Sequence, residues 1–361
     1  MIVLHCFGNL NVGGAETLII NTLKKLRGGV KNQDIEFEFL TFSSESGFYD
    51  QTVSEYGCSI YRLPSISTIG LYRYIKEMIH FFKSHQVDVV HSHMDWQGGF
   101  IAYAAHKAGI KKIVVHSHAN QKMFDVNFIY RLNIFLNKIL INKYSTDCLA
   151  CSKEAGESLF FKDFVIIKNG IDTKKYIYPD INKIDDLRKE FMIKNDDIVL
   201  GHVGSFSNNK NQSFLIDILI ELLKISSSYK LILVGDGGTK EYIKEKVISN
   251  GLENNVYFAG LREEIPEMMN LFDIFLFPSK EEGLGIVAIE AQASGTRCVI
   301  SNSVPKMVDM NLGLVKFEEL NTDKWTEDIL KIGKNKINKS TDICAFDIEN
   351  TVNQLVKVYR A

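Results

Sequence analysis

The stretch "EEGLGIVAIE", Glu281 to Glu290, sets two acids, Glu282 and Glu290, eight positions apart around the turn Gly283-Leu284-Gly285-Ile286. It follows a strand-like run, "DIFLFPS", and leads into an apolar helix that would carry Glu290 two turns along. A helix N-terminus with glycines offers N–H donors to an anion. A carboxylate beside it would repel that anion unless it holds something else. Sugar hydroxyls suit, because a carboxylate readily accepts two of their hydrogen bonds. The bland alternative, Glu282 as a cap and Glu290 on a solvated face, fits poorly with the flanking glycines and the apolar helix.

Other strand ends carry similar chemistry. "GNLNVGGAET" has Gly8, Gly13 and Gly14 before a helix starting near Ala15. Its spacing is not that of a dinucleotide-binding loop, so a phosphate cradle and a plain tight turn both stand. "GHVGSFSNNKN" places Gly201 and Gly204 at a strand end and Lys210 before a helix, where its charge suits a phosphate or is simply solvated. "LVGDGG" and "FAGLREE" repeat the glycine-rich ending, and three such ends on one sheet edge suggest a nucleotide-sized ligand.

Eight of the nine histidines (His5, His80, His85, His91, His93, His106, His116, His118) precede residue 120, and "VHSH" occurs twice. Alternation along a strand puts His91 with His93, and His116 with His118, on one face. Asp88 and Asp95 make no recognised ligand spacing with them, so a histidine acting on substrate, or packing roles, are favoured over metal. Cys148 and Cys151 form a C-x-x-C without a second pair, which reads as buried strand rather than redox or zinc chemistry.

These residues need a scaffold. Short β-branched runs alternate with helical patterns along nearly all 361 residues, which implies crossover connections and parallel sheets covered on both faces. The alternation pauses at the charged stretch "DTKKYIYPDINKIDDLRKEFMIKNDD", read as a boundary between two α/β domains, 1–172 and 173–345. Two such domains would face each other across a cleft at their strand ends. The tail repeats apolar residues at Ile348, Val352, Leu355, Val356 and Tyr359, a helix within 346–361 that would pack on one domain or bridge both.

Hydrophobic residues at 45% and charged residues at 24% fit a globular protein, and a net charge of −2 argues against nucleic-acid coating. No apolar run reaches the ~18 residues of a membrane span. With scattered cysteines and no leader pattern, a reduced, cytoplasmic location is expected.

Taken together, "GGAE", "HSH", "CSKEAGESLF", "NGID", "GHVGSF...KN", "LVGDG", "FAGLRE" and "PSKEEGLGIVAIEAQASG" resemble the retaining GT-B glycosyltransferases of family 4, which include bacterial capsular and exopolysaccharide transferases. The resemblance covers nearly the whole chain. It implies two Rossmann-like, doubly wound domains, the first acceptor-side and the second nucleotide-sugar-binding, with transfer of a hexose to a glycan acceptor, expected to be lipid-linked. By the resemblance, Gly13 and Gly14 close over the donor phosphates and Lys210 neutralises them. The turn at Arg262 contacts the nucleobase through its backbone, Glu282 touches the donor sugar, and Glu290 holds the ribose hydroxyls. Gly283, Leu284, Gly285 and Ile286 lie against sugar and diphosphate, and His118 stands on the acceptor side.

The donor is expected to be a UDP-sugar ahead of a GDP-sugar. No D-x-D occurs, so neither a metal nor another cofactor is expected. One departure stands out: Ser205 occupies the position where the family usually has arginine. Slower catalysis, compensation by another base such as Arg297, or a non-catalytic subunit that recruits a partner transferase follow as alternatives. An epimerase or phosphorylase lacks support in the motif set. Finally, "MFDVNFIYRLNIFLNKILINKYS" mixes Lys122, Arg131, Lys138 and Lys143 with Phe124, Phe128, Tyr130 and Phe135. Such a helix suits peripheral docking on an anionic inner membrane face, or a core helix with solvated lysines.

Overall fold

Runs of β-branched and aromatic residues become parallel strands with helical crossovers, the central ones buried on both faces and the edge ones partly exposed. The computed structural model describes residues 1–28, 34–119, 128–334 and 346–361. Lys122, Phe124 and Cys344 lie outside them. The chain divides into one unit of Met1–Ile171 with Ala345–Ala361, and a second of Asp172–Cys344.

In the first unit the strands β1 (Ile2–Phe7), β2 (Glu36–Thr41), β3 (Ile60–Arg62), β4 (Val89–Ser92), β5 (Lys112–Ser117), β6 (Asp147–Ala150) and β7 (Val165–Ile166) form one sheet. Its order is β3-β2-β1-β4-β5-β6-β7, all parallel. The second unit repeats the plan with β8 (Ile198–Val203), β9 (Tyr229–Val234), β10 (Val256–Gly260), β11 (Ile274–Phe277), β12 (Arg297–Ser301) and β13 (Val315–Glu318), in the order β10-β9-β8-β11-β12-β13. Strand order reverses beside β1 in one sheet and beside β8 in the other. A crevice opens beyond the carboxyl ends of the strands at such reversals. The loops that leave β1, β4, β8 and β11 there contain Gly13, Asp95, Lys210 and Glu282.

The second unit begins at Asp172, at the start of the charged stretch read as the boundary, and that stretch itself folds as two helices, Thr173–Ile177 and Ile181–Glu190. Asp180 caps the latter through the amide of Asn182. One local reading is corrected. Glu290 stands little more than one turn into its helix, not two, because the helix Ile286–Ala293 starts only after Gly285, whose φ of 90° is left-handed. Few residues but glycine adopt that conformation cheaply.

The tail forms the helix Ile348–Arg360, whose stripe of Ile348, Val352, Leu355, Val356 and Tyr359 is buried in the first unit with Val3, Phe37 and Leu18. Backbone bonds from Ile171 N to Phe346 O and from Ile348 N to Ile171 O, both 2.9 Å, tie the returning chain to the end of the first pass. Five cysteines, Cys6, Cys58, Cys148, Cys151 and Cys298, are free and buried. Leu355→Ala should leave a cavity under this helix and cost about 2–5 kcal/mol of stability, measured as a lower denaturant midpoint of the first unit's transition.

Candidate functional site

In the second unit, Lys210 and Glu282 are 72 positions apart yet their side chains meet, Nζ to Oε1, at 2.5 Å. Their loops are stitched together first. The Lys280 amide donates to Asn209 O at 2.9 Å, and the Asn209 side-chain amide donates to Glu281 O at 2.7 Å. Lys210 also lies 5.1 Å from the centre of the Phe277 ring. It is therefore a half-buried, oriented cation, not a solvated surface lysine.

The strand-end loops and the helix start after Lys210 carry buried polar atoms with no partner among the described residues: Ser279 Oγ and Glu281 Oε1 after β11, Gln212 Oε1 at the start of the helix that follows β8, and Thr239 Oγ1 after β9. Gln212 is fixed, because its Nε2 donates to Ser205 O at 2.8 Å. Unpaired buried polar atoms are costly, so this group of acceptors and hydroxyls is suited to a polar ligand. Sequence reading missed them, since isolated Ser, Thr and Gln carry no spacing signal beyond their place after a strand.

The strand-end glycines also have a structural use. A Cβ on Gly235, at φ 132°, would meet Gly204 O at 2.1 Å, so this turn is glycine to let two strand-end loops touch. Gly283, Leu284 and Ile286 surround the Gly285 turn, with Leu284 buried. Arg262 has its side chain engaged: Nε donates to Ala259 O at 2.8 Å, and the guanidinium pairs with Glu190 and Glu264. Ser205 is exposed. Arg297 does not take over the missing charge at Ser205. It pairs in register with Ile274, which pairs with Leu200. Arg297 is thus five residues, about 16 Å, from Ser205 along the strand direction, at the opposite edge of the sheet.

Glu290 is buried and accepts the Tyr176 hydroxyl at 2.8 Å. Burial pushes its carboxyl up to about 7, against the lowering effect of that bond. Tyr176, absent from the sequence-based site, is itself held by Asn270 Nδ2 donating to its carbonyl at 3.0 Å.

In the first unit, His118 follows β5. Its Nε2 lies 2.9 Å from His93 Nδ1, and its amide donates to Asp95 Oδ1 at 2.8 Å. Gly13 gives way to Glu16, whose Oε2 would lie 2.3 Å from a Cβ there, while Gly14 has open space around it. Burial raises Glu16 to about 7, with the Asp95 charge adding to it, and raises Asp95 to about 6. Neither acid was singled out for this site in the sequence. Glu16 belongs to the quoted "GGAE", but only the fold shows that it turns back over the glycine.

A raised carboxyl binds its proton more tightly folded than unfolded, so stability is highest below the unfolded value and falls as pH rises through the folded one. For Glu290 that window runs from 4.5 to about 7. In urea unfolding across this range, Glu290→Gln should decline less with pH than the native chain; parallel profiles would contradict the assignment.

Comparisons with known proteins bear on this arrangement. Residues 12–175 match the family model "Glycosyltransferase Family 4", and residues 183–344 match "Glycosyl transferases group 1". EpsF of Bacillus subtilis (strain 168), named as a glycosyltransferase, is 32% identical over 99% of this chain and 96% of its own. An Escherichia coli protein named UDP-Gal:alpha-D-GlcNAc-diphosphoundecaprenol alpha-1,3-galactosyltransferase is 30% identical over 81% of this chain and 76% of its own. Among solved structures, Anabaena HepE in complex with UDP-glucose superposes with a TM-score of 0.79 at 21% identity, covering 100% of this chain and 99% of that one.

Proposed function

Because the chain belongs to the glycosyltransferases, with a family 4 amino-terminal half and a group 1 carboxyl-terminal half, we propose that it moves a hexose from a UDP-sugar to a lipid-linked glycan in cell-surface polysaccharide synthesis. The observation that carries this reading is the Lys210–Glu282 pair, on strand-end loops that also carry unspent polar atoms. A sugar diphosphate can take both partners at once. The ammonium turns to the phosphates and the freed carboxylate accepts from sugar hydroxyls. The amides at the start of the helix Ile286–Ala293 add donors for the departing diphosphate. Glu290 accepts from the ribose hydroxyls, with Tyr176 holding it in place.

In this reading the new bond joins the acceptor oxygen to the anomeric carbon on the face from which the phosphate oxygen leaves. The phosphate takes the acceptor's proton, so configuration is retained. His118 serves the acceptor side, and Gly13 and Gly14 shape the loop toward the phosphates. Lys210 and backbone donors carry the leaving charge, so donor binding requires no metal. HepE, titled with UDP-glucose, and the E. coli relative, named for a UDP-Gal donor and a diphosphoundecaprenol acceptor, support the choice of base and acceptor.

The test is a thermal-shift and hydrolysis screen across UDP-, GDP- and ADP-sugars, with and without EDTA. Stabilisation by UDP-sugars, unchanged by EDTA and weakened about 10- to 100-fold in Glu290→Ala, is expected from the loss of charge-assisted bonds of about 1.5–3 kcal/mol. Silence toward every donor would favour the non-catalytic subunit, the reading that Ser205 motivates.

The lipid-linked acceptor also calls for a membrane-facing surface. The helix Phe128–Tyr144 leaves Tyr130, Leu132, Phe135, Leu136 and Ile139 exposed. Phe135 continues this face onto exposed Phe161, at 6.2 Å between ring centres, with Lys138 over that ring. No helix among the described residues is long and apolar enough to cross a membrane. A basic, aromatic surface helix binds anionic lipid at the interface, on the cytoplasmic face in this reading. The protein should co-sediment with phosphatidylglycerol vesicles at low salt, and Phe135→Ser with Leu136→Ser should lose most of that binding. Equal sedimentation of both would sink the docking reading.

A further inference from the structure

One cluster in the first unit has no place in the donor chemistry. His5 on β1, His91 and His93 at the end of β4, and His116 and His118 at the end of β5 line one face of the sheet. The register of β4 on β5, continued two residues past His91↔Val114, brings His93 opposite His116. Hydrogen bonds join His5 Nδ1 to His93 Nε2 at 3.0 Å, His93 Nδ1 to His118 Nε2 at 2.9 Å, and His91 Nδ1 to the Tyr359 hydroxyl at 2.8 Å. The remaining nitrogens, His5 Nε2, His91 Nε2, His118 Nδ1 and both of His116, are buried without a partner among the described residues. His116 is 0% exposed. A fully buried imidazole with neither nitrogen engaged has no hydrogen-bonding reason to be there.

We propose that His93, His116 and His118 bind one divalent transition-metal ion of the zinc type, with Asp95 supplying nearby negative charge. One ring nitrogen of each histidine lies within 4.8 Å of the others. Two nitrogens on a tetrahedral zinc at about 2.0–2.1 Å stand about 3.3 Å apart. The 2.9 Å between His93 and His118 therefore needs to open by only about 0.4 Å, a spacing set by the same ligand geometry.

The surrounding bonds fit as well. With Nδ1 of His93 on the ion, its Nε2–H donates to His5, the orienting contact that metal-bound histidines usually make. Asp95 accepts from the His118 amide. Three neutral rings would leave a divalent charge uncompensated, and this half-buried carboxylate, bonded to the backbone of one ligand, offsets it. A water completes the coordination. The other trio within reach, His5, His91 and His93, lacks His116, the ring with neither nitrogen engaged among the described residues.

The test needs no sugar donor, so it stands or falls apart from the transferase reading. Native protein is stripped with chelator, dialysed, and titrated with Co(II) and Zn(II). One ion per chain by elemental analysis, with the strong visible absorption of four-coordinate Co(II), is expected. His116→Asn should abolish that band, while Asp95→Asn, which removes no ligand, should weaken binding about 10- to 100-fold. Circular dichroism checks that each variant folds, and His85→Asn controls for surface binding. The proposal is overturned if the native chain takes up no more metal than chelator-blocked controls, or if the bound ion is insensitive to both His116→Asn and Asp95→Asn.

Discussion

The site in the second unit depends on two hydrogen bonds between loops. Asn209 accepts from the Lys280 amide and donates to Glu281 O, locking the loop after β8 to the loop after β11. Those strands are neighbours only because the sheet reverses its order there. Once the loops are fixed, Lys210 and Glu282 meet across them. The pair is preorganised, and its charges balance until something more complementary arrives. This arrangement costs little to open, because each partner exchanges one charge-assisted bond for another.

The first unit manages charge differently. Burial lowers His5, His91, His93, His116 and His118 and raises the acids Glu16 and Asp95. Asp95 accepts the His118 amide, and His118 leans on His93, which leans on His5. The returning helix closes the arrangement from its other side through Tyr359 and His91. A change at the far end of the chain can thus be felt at the histidines.

Much of this was legible in the sequence, and the reasons are physical. Parallel strands buried on both faces write themselves as continuous β-branched runs, so the α/β class and the two sheets could be read directly. The strand-end glycines were legible, but not what each does in the fold: Gly235 allows contact between loops, and Gly285 a left-handed turn. Lys210 and Glu282 were both singled out, but no linear pattern says that they touch. Tyr176, Gln212 and Ser279 were missed because their importance lies in what they face. The histidines were noticed, but their gathering from β1, β4 and β5 onto one face shows no spacing that a linear motif could reveal. Arg297 failed as a substitute because register, invisible in one dimension, puts it at the wrong end of its strand.

The central claim is that Lys210, held by Glu282, is the receptor for a nucleotide's diphosphate. Calorimetry of UDP against uridine, on the native chain and on Lys210→Ala, tests it most directly. The account predicts that UDP binds at least about 10-fold more tightly than uridine, roughly 1.4 kcal/mol, and that the substitution erases this advantage while uridine affinity stays the same. An advantage for UDP that survives Lys210→Ala would contradict it.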